Sequence, residues 1–216
     1  MARRGVKQCL LVDEAEGPWY DAIGAVAFSA DGRKLAYVAG DKGRWFVVTD
    51  GVKGPEFDGL GKGTLRISKD GSSTAYIAPR NGKYVVVVNG VEGKEYDGIG
   101  QGTLTFLADS GHFAYVGIES SGIQLRDGGL LGAYHIVVGG EERWTYPGFA
   151  EDSFGVSPDG LKFFCAVPRD HNWYAVLNGR ELSSCDAFIG RPFFEGSDSV
   201  RYVVKKEHSI FSVRAN

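Results

Sequence analysis

The chain has 216 residues, of which 43% are hydrophobic and 24% are charged, and its formal net charge is −3. This length and composition are typical of one globular domain with a substantial core, so we expect a single domain over residues 1–216. A slightly acidic chain lacks the basic surface that favours nucleic acids and anionic membranes, so neither is expected as a partner.

Two sequence features bear on cellular location, the N-terminal segment and the number of cysteines. The N-terminus begins with basic residues, but its apolar stretch at residues 9–12 is too short for a secretory signal. An odd number of cysteines, three, does not suit a disulfide framework. Both features favour a cytoplasmic protein, and we expect it to be a monomer.

In chain order, the first recurring feature is a segment that returns about every forty residues. Its four clear copies are VAFSADGRKLAYVAG (26–40), LRISKDGSSTAYIAP (65–79), LTFLADSGHFAYVGI (104–118) and FGVSPDGLKFFCAVP (154–168). A drifted fifth copy, FFEGSDSVRYVVKK, begins at Phe193 and places its tyrosine at Tyr202. The pattern of β-branched and aromatic residues around a turn aspartate predicts two short strands, A and B, with core tyrosines on B.

A second segment follows each clear copy. The copies are WFVVTDGVKGPEFDGLG (45–61), YVVVVNGVEGKEYDGIG (84–100), YHIVVGGEERWTYPGFA (134–150) and WYAVLNGRELSSCDAFIG (173–190), with CLLVDEAEGPWYDAIG (9–24) at the N-terminus. Asp50-Gly51, Asn89-Gly90, Gly139-Gly140 and Asn178-Gly179 favour positive φ at both turn positions and therefore close two-residue hairpins. Asp31-Gly32, Asp70-Gly71 and Asp159-Gly160 predict the same turn between A and B. Each repeat thus gains a strand C and an outer strand D, the latter at residues 55–58 in the first repeat.

Four antiparallel strands repeated at a period near forty are typical of β-propeller blades. We predict an all-β, five-bladed β-propeller of four-stranded antiparallel blades, closed by strands from both termini. The repeats run approximately over residues 8–43, 44–82, 83–132, 133–171 and 172–208, followed by a C-terminal strand at 209–216. Both termini carry a C-like strand, so two candidates compete for one place in the closing blade.

The pattern F-S-x-D-G-x-x-x-A-Y at residues 28–37 resembles the WD-like repeats of TolB-type propellers, and the resemblance covers nearly the whole chain. It implies the propeller fold, and it implies a role as a protein-interaction platform or as a substrate-gating domain of a larger peptidase. The chain departs from TolB-type proteins in having five predicted blades instead of six and no accompanying domain. Their partners are therefore not transferred to it.

Repeats separate structural from functional positions, because a residue shared by all blades serves folding. Asp21, Asp58, Asp97 and Asp186 recur before the D-to-A connection, and we predict that they hold the following backbone N–H groups in an Asx-type turn. The alternative is a carboxylate ring like that of five-bladed furanosidases, but the A strands at residues 25–29 and 64–68 contain no acid.

We predict no catalytic residue, no metal site and no cofactor. The sequence contains none of the familiar nucleophile, phosphate-binding or metal-binding motifs, and its four histidines are scattered singly.

Lys62 and Gln101 stand four residues past Asp58 and Asp97, and the aligned positions in the next repeats hold different side chains, Glu151 and, in the drifted fifth copy, Arg191. We predict that they surround the mouth of the propeller channel and offer mixed charge to a small polar ligand or a protruding loop. The alternative is that they are ordinary solvated loop residues.

The B-to-C connection of the third repeat, residues 119–133, is much longer than its counterparts at 40–44, 79–83 and 168–172. Long loops on rigid scaffolds often carry binding groups. This insertion supplies Arg126, Asp127, Leu130 and Leu131, with His135 beside it. The alternative is a tolerated surface expansion.

These observations favour a non-enzymatic recognition module that binds a protein or a small polar ligand on the face carrying residues 119–133. The first alternative is a lectin-like propeller that binds carbohydrate, since Trp45 and Trp173 occupy the same place in strand C. The second is a five-bladed glycosidase, for which Glu151, Asp152 and Glu195 are the acids nearest the predicted channel.

Overall fold

The computed structural model describes residues 2–107, 111–124, 130–150, 152–169 and 172–216. Clustering of backbone contacts divides the chain into two compact units, Met1–Tyr96 and Asp97–Asn216. All regular secondary structure in the described residues is β-strand, and the ladders are antiparallel, as predicted. No helix suited to crossing a membrane is present in this part of the chain.

The first unit begins with two short hairpins and continues with two four-stranded antiparallel sheets. The hairpins are β1 (Ala2–Arg4) with β2 (Lys7–Cys9), and β3 (Leu11–Val12) with β4 (Ala15–Glu16). Sheet 1 contains β5 (Ala22–Phe28), β6 (Leu35–Asp41), β7 (Arg44–Thr49) and β8 (Val52–Lys53). Sheet 2 contains β9 (Arg66–Ile67), β10 (Thr74–Arg80), β11 (Lys83–Val88) and β12 (Val91–Glu92).

The second unit contains three antiparallel sheets. Sheet 3 contains β13 (Gly98–Ile99), β14 (Thr105–Phe106), β15 (Phe113–Gln124), β16 (Leu130–Val138) and β17 (Glu141–Tyr146), with β13 and β14 both paired to β15. Sheet 4 contains β18 (Gly155–Val156), β19 (Phe163–Arg169), β20 (Asn172–Leu177) and β21 (Arg180–Cys185). Sheet 5 has three strands, β22 (Ala187–Glu195), β23 (Ser199–Lys206) and β24 (Ser209–Ala215).

The core of each unit lies between consecutive sheets. In the first unit, one apolar cluster joins Val47 and Phe57 of sheet 1 to Tyr76 and Val85 of sheet 2. In the second unit, similar clusters lie between sheets 3 and 4 and between sheets 4 and 5. The repeated tyrosines are buried, as predicted: Tyr37, Tyr76, Tyr115 and Tyr202. Within each unit, a sheet of short strands therefore buries apolar side chains against the neighbouring sheet of that unit.

The four two-residue hairpins between the third and fourth strands have the predicted geometry. Both residues have positive φ in all four, at Asp50-Gly51, Asn89-Gly90, Gly139-Gly140 and Asn178-Gly179. The same prediction for the turn between the first two strands is wrong. In that turn only the glycine has positive φ, and the Asp31 carboxylate accepts hydrogen bonds from Ser29 Oγ and Arg33 N. The aspartate thus closes a longer loop through its side chain.

The fourth strand of sheet 1 begins earlier than predicted. It starts at Val52, directly after the hairpin, and only Phe57 of the expected residues 55–58 pairs again, in an isolated bridge to Trp45. Pro55, which has no N–H to donate, lies in the interruption. Similar bridges join Gln8 to Tyr20 and Tyr84 to Tyr96. Residues 7–9 therefore correspond to the third strand of the other sheets. Strand β1, which pairs with them, corresponds to the end of a second strand.

Within the second unit, β24 takes the third-strand place of sheet 5. Each described sheet is built from strands of one unit, so closure of a five-bladed ring by both termini stays a prediction.

A four-residue turn interrupts the innermost strand in the second, third and fourth repeats. In the third, Thr103 Oγ1 donates to Gly100 O at 2.8 Å and accepts from Val116 N at 3.0 Å. Thr64 and Ser153 make the same two bonds in their repeats. The hydroxyl takes the place of a ladder hydrogen bond, and it fixes the turn against the second strand.

We expect Thr103→Val to lower the free energy of unfolding by about 1–3 kcal/mol, because Val keeps the shape but leaves the buried Val116 N–H without its partner, while Gly100 O keeps its bond from Thr103 N. Thr105→Val is the matched control, since its hydroxyl makes only a 3.3 Å bond to Phe106 O. Urea denaturation with unchanged m-values measures both. Equal losses in the two variants would contradict the role of the Thr103 hydroxyl.

Candidate functional site

The turns between second and third strands lie at the same sheet end as the connections between repeats. Asp97 Oδ2 accepts a hydrogen bond from Ser120 N at 2.9 Å, Asp21 Oδ2 from Lys42 N at 2.8 Å, and Asp186 Oδ2 from Glu207 N at 2.6 Å. These bonds are not the predicted Asx bonds to following residues: Asp21 and Asp186 reach the turn after the second strand of the next sheet, and Asp97 reaches the base of the β15–β16 extension. Asp58 departs from the pattern and pairs with Arg44.

Lys62 and Gln101 are exposed at the tips of the four-residue turns, each just before a glycine with positive φ. Glu151 has the equivalent sequence position but lies outside the described residues. Its neighbour Asp152 has a φ of 62°, which matches the turn glycines. Lys62 and Gln101 therefore lie at exposed turn tips, and a rim formed by all four predicted residues stays a prediction.

Arg191 joins two of these turns within the second unit. Its Nη2 lies 2.6 Å from Asp152 Oδ1, and its Nε lies 3.1 Å from the same oxygen. A Cβ placed on Gly102 would be 3.8 Å from Nη2, so the guanidinium also lies beside the turn that carries Gln101. The ion pair is exposed, so it contributes little to stability and its groups are accessible to a partner.

Residues 119–133 are not the irregular loop that we predicted. Their described parts, residues 119–124 and 130–133, continue β15 and β16 as a two-stranded arm, paired from Glu119–Ala133 to Gln124–Leu130. The register shifts between Ser120 and Ile123, where Ser120 Oγ accepts from Gly122 N at 2.9 Å. A Cβ on Gly132 would lie 2.0 Å from Glu119 O, so only glycine fits opposite this bulge. The arm forms because the alternating ladder simply runs on past the sheet.

The predicted binding residues of the insertion are distributed along this arm. Leu130 and Leu131 belong to β16, whereas Arg126 and Asp127 fall outside the part of the chain that the structure describes.

His135 is the predicted site residue with the most developed surroundings. Its side chain is 9% exposed; Nε2 lies 3.5 Å from Glu119 Oε2, and Nδ1 lies 3.4 Å from Glu142 Oε2. Thr145 Oγ1 is 3.1 Å from Nδ1. One ligand atom from each of Glu119, His135 and Glu142 lies within 4.8 Å of the others, a spacing within which a metal ion can be held.

Sequence reasoning missed Glu119, Glu142 and Thr145 as neighbours of His135. Glu119 and His135 share a face of the β15–β16 ladder. Strand β17 has a bulge opposite Ile136 and Val137 of β16, where it holds one extra residue. This bulge brings both Thr145 and Glu142 to that face. The usable signal was the repeat itself, because the position of Glu119 is occupied by arginine in two other sheets.

The first unit contains two clefts. One, of about 280 Å³, is lined by Trp45, Leu60 and Lys62 with several glycines. The other, of about 440 Å³, is lined by Tyr76 and Asn89 among others. The Tyr76 hydroxyl has no hydrogen-bond partner among the described residues, and burial raises the pKa of Tyr76 to about 12.

Two of the three acids considered for a glycosidase, Glu195 and Asp152, form ion pairs with arginines. Glu195 Oε1 accepts from Arg201 Nε at 2.9 Å, and its Oε2 lies 2.9 Å from Arg214 Nε. The hydrogen bond from Arg201, with the charges of both arginines, lowers the pKa of Glu195 below its ordinary value of 4.5. Asp152 pairs with Arg191, and Glu151 is outside the described residues.

No protein-family model matches the sequence, and no curated protein matches it either. Among solved structures, the chain is similar to acylaminoacyl peptidase of Pyrococcus horikoshii, with a TM-score of 0.50 and 14% identity over 88% of this chain and 38% of that one. It is also similar to TolB from Acinetobacter baumannii, with a TM-score of 0.42 and 17% identity over 90% of this chain.

A third similar structure is the β-propeller domain of the Trilobed protease from Pyrococcus furiosus, with a TM-score of 0.45 and 13% identity over 94% of this chain and 71% of that one. The chain spans 52% of the length of TolB. At these identities the likeness concerns the fold alone: an all-β chain of antiparallel four-stranded sheets, similar to β-propellers.

Proposed function

We propose that the chain is a non-enzymatic recognition module that binds a protein partner through the arm formed by residues 119–133. The observation that carries the proposal is the arm itself. It is the place where one repeat departs from the shared blade pattern, and it stands on an otherwise regular scaffold.

The arm offers backbone groups to a partner. Strand β13 pairs with β15 only as far as Ile118, and β17 pairs with β16 only as far as Tyr134. Beyond these residues, the two strands of the arm pair with each other and with no further strand among the described residues. An isolated two-stranded ribbon is marginally stable, and its open edges are templates for an added strand. Strand addition to this ribbon is therefore the expected mode of binding.

The arm also offers apolar surface on a fixed base. Ile123 near its end is 55% exposed. At its base, Asp97 N donates to Ile118 O at 2.9 Å while the Asp97 carboxylate accepts from Ser120 N. A base held in this way limits the conformational entropy that binding would cost. Exposed Gln101 and the Arg191–Asp152 pair in the same unit supply a polar rim.

A lectin-like role is the second candidate, supported by the cleft beside Trp45 and Lys62. An indole ring with a polar neighbour suits a sugar ring, and Gly40 packs closely on Trp45, with a built Cβ at 3.2 Å from its ring. A glycan array that yields ligands lost in Trp45→Ala would favour this candidate over the protein-binding role.

We further propose that the chain forms five blades, with the ring closed by strands from both termini. The bridge between Gln8 and Tyr20 supports a third-strand and fourth-strand pair at the N-terminus, and the three-stranded sheet 5 leaves room for a fourth strand. Since β24 already has the third-strand place of sheet 5 and Gln8 stays bridged to Tyr20, the N-terminal strands would extend sheet 5 beyond β24.

We expect replacement of residues 120–132 by Asn-Gly to abolish partner binding while the fold persists. The new turn copies Asn81-Gly82 of sheet 2, and a change in loop length alters stability by only about 1 kcal/mol. Partners identified by pull-down with the full chain are then titrated against both proteins, alongside thermal melting, which should shift by less than about 4 °C.

Point variants sharpen this test. Ile123→Ser should weaken binding at least about tenfold, because a buried aliphatic side chain contributes about 1.5–3 kcal/mol. Val91→Ser is the matched control, since Val91 is an exposed apolar residue on a hairpin of sheet 2 at the other sheet end. Unchanged affinity in both the shortened protein and Ile123→Ser would place the binding site away from the arm.

We expect no turnover of chromogenic glycosides between about pH 5 and 8, because a general acid needs a raised pKa and that of Glu195 is lowered.

The lowered pKa of Glu195 also predicts a contribution to stability that is fully present above pH 4.5. This contribution is lost as the pH falls through the pKa of the folded state. Glu195→Gln should therefore lose less stability on acidification than the parent. Glu16→Gln, at an exposed position on β4, is the control. Glycoside turnover abolished by Glu195→Gln would contradict the non-enzymatic proposal.

A further inference from the structure

One pair of equivalent positions carries opposite charges in sheets 1, 2 and 4 and like charges in sheet 3. The positions are the last residue of the second strand before its hairpin turn and the second residue of the fourth strand. They hold Arg80 and Glu92 in sheet 2, Arg169 and Glu181 in sheet 4, and Asp41 and Lys53 in sheet 1. In sheets 2 and 4 the two residues form an ion pair, at 2.9 Å for Arg169 and Glu181.

Sheet 3 replaces the arginine of this pair with a second carboxylate. The register places Glu119 where Arg80 and Arg169 stand, and Glu142 where Glu92 and Glu181 stand. Two carboxylates at these positions repel each other unless a cation lies between them. The change is thus one that a bound cation would compensate.

The position between the two carboxylates changes in the same sheet. Sheets 1, 2 and 4 place Phe46, Val85 and Tyr174 there, whereas sheet 3 places His135. A side chain without ionisable nitrogen is therefore exchanged for a buried imidazole, whose nitrogens lie 3.5 Å and 3.4 Å from the two carboxylates. Two coordinated departures from the repeat point to one new function at this place.

We propose that Glu119, His135 and Glu142 bind a divalent transition-metal ion, with Zn²⁺ as the ion best matched to one imidazole and two carboxylates. Ligand atoms of a tetrahedral zinc site with bonds of about 2.1 Å are about 3.4 Å apart. The 3.5 Å between His135 Nε2 and Glu119 Oε2 agrees with this spacing. Glu142 Oε2 lies on the other side of the ring, 3.4 Å from Nδ1, so this partly exposed side chain must rotate towards Nε2 to complete the site.

Thr145 orients the imidazole for this role. In the tautomer in which Nδ1 carries the proton, Nδ1 donates to Thr145 Oγ1 at 3.1 Å, and Nε2 keeps its lone pair on the side of Glu119. A hydrogen bond to the second ring nitrogen is the usual partner of a metal-ligating histidine. Three protein ligands leave a fourth position for water or for a donor atom from a partner.

The site would tie together three strands at the root of the arm. Glu119 is the first residue of the arm, His135 lies on β16 and Glu142 lies on β17. The inference does not rest on the recognition role of the arm, because it concerns binding of the metal alone.

The test uses the full chain, made metal-free by dialysis against a chelator and titrated with ZnCl₂ in a calorimeter. We expect one equivalent to bind and the melting temperature to rise. Glu119→Arg and His135→Val copy residues of sheet 2, so both should fold and both should lose binding. Glu92→Gln and Glu181→Gln, which change the equivalent acids of sheets 2 and 4, should bind as the parent does.

Thr145→Val separates orientation from ligation. It should weaken zinc binding by about 10–100-fold without abolishing it, as for other outer partners of a metal-bound histidine. Co²⁺ loaded into the parent should give the visible absorption of a low-coordinate site, and Glu119→Arg should not. Absence of one-equivalent binding in the parent, or binding that survives in both Glu119→Arg and His135→Val, would overturn the proposal.

Discussion

The structure depends on burial of apolar faces between consecutive sheets. A sheet of four short strands has two broad faces and cannot bury either alone, so within each unit a sheet is stable only against the sheet beside it. Phe57 and Tyr76 show this between sheets 1 and 2, and Phe164 and Tyr202 show it between sheets 4 and 5, with ring centroids 6.2 Å and 4.8 Å apart. Because this packing recurs, the side chains that provide it recur too, and they leave little freedom for function within the strands.

Side chains vary more at the sheet ends, where backbone N–H and C=O groups need hydrogen-bond partners outside the ladder. Repeated side chains meet that need: the Thr103 hydroxyl replaces a ladder bond, and the Asp97 carboxylate caps the next hairpin. These bonds hold the four-residue turn without its exposed residue. The side chain at that position can therefore vary, as Lys62 and Gln101 do. The same capping bond fixes the base of the long arm. A structural repeat thus provides the rigid support on which a single non-repeated element can be carried.

Sheet 3 differs from the other sheets at two linked positions. An arginine and a glutamate at equivalent positions in sheets 2 and 4 form ion pairs that an isolated view of sheet 3 would not suggest. Against that background, Glu119 and His135 stand out as two linked changes at the root of the arm. The arm and the histidine cluster therefore concentrate the departures from the repeat in one sheet.

The sequence by itself determined the all-β class, the repeated four-stranded sheets and the hairpins such as Asn89-Gly90, because these follow from residue periodicity and from local φ preferences. It also identified the turn positions of Lys62 and Gln101 as places of variation, and it named His135 because it lies beside the insertion. Only the tertiary structure showed that residues 119–133 continue a ladder, and that Asp97 reaches a hairpin more than twenty residues away. It alone brought Glu119 and Glu142 to His135, since strand register and a bulge join residues that are distant in sequence, and neither is written in local composition.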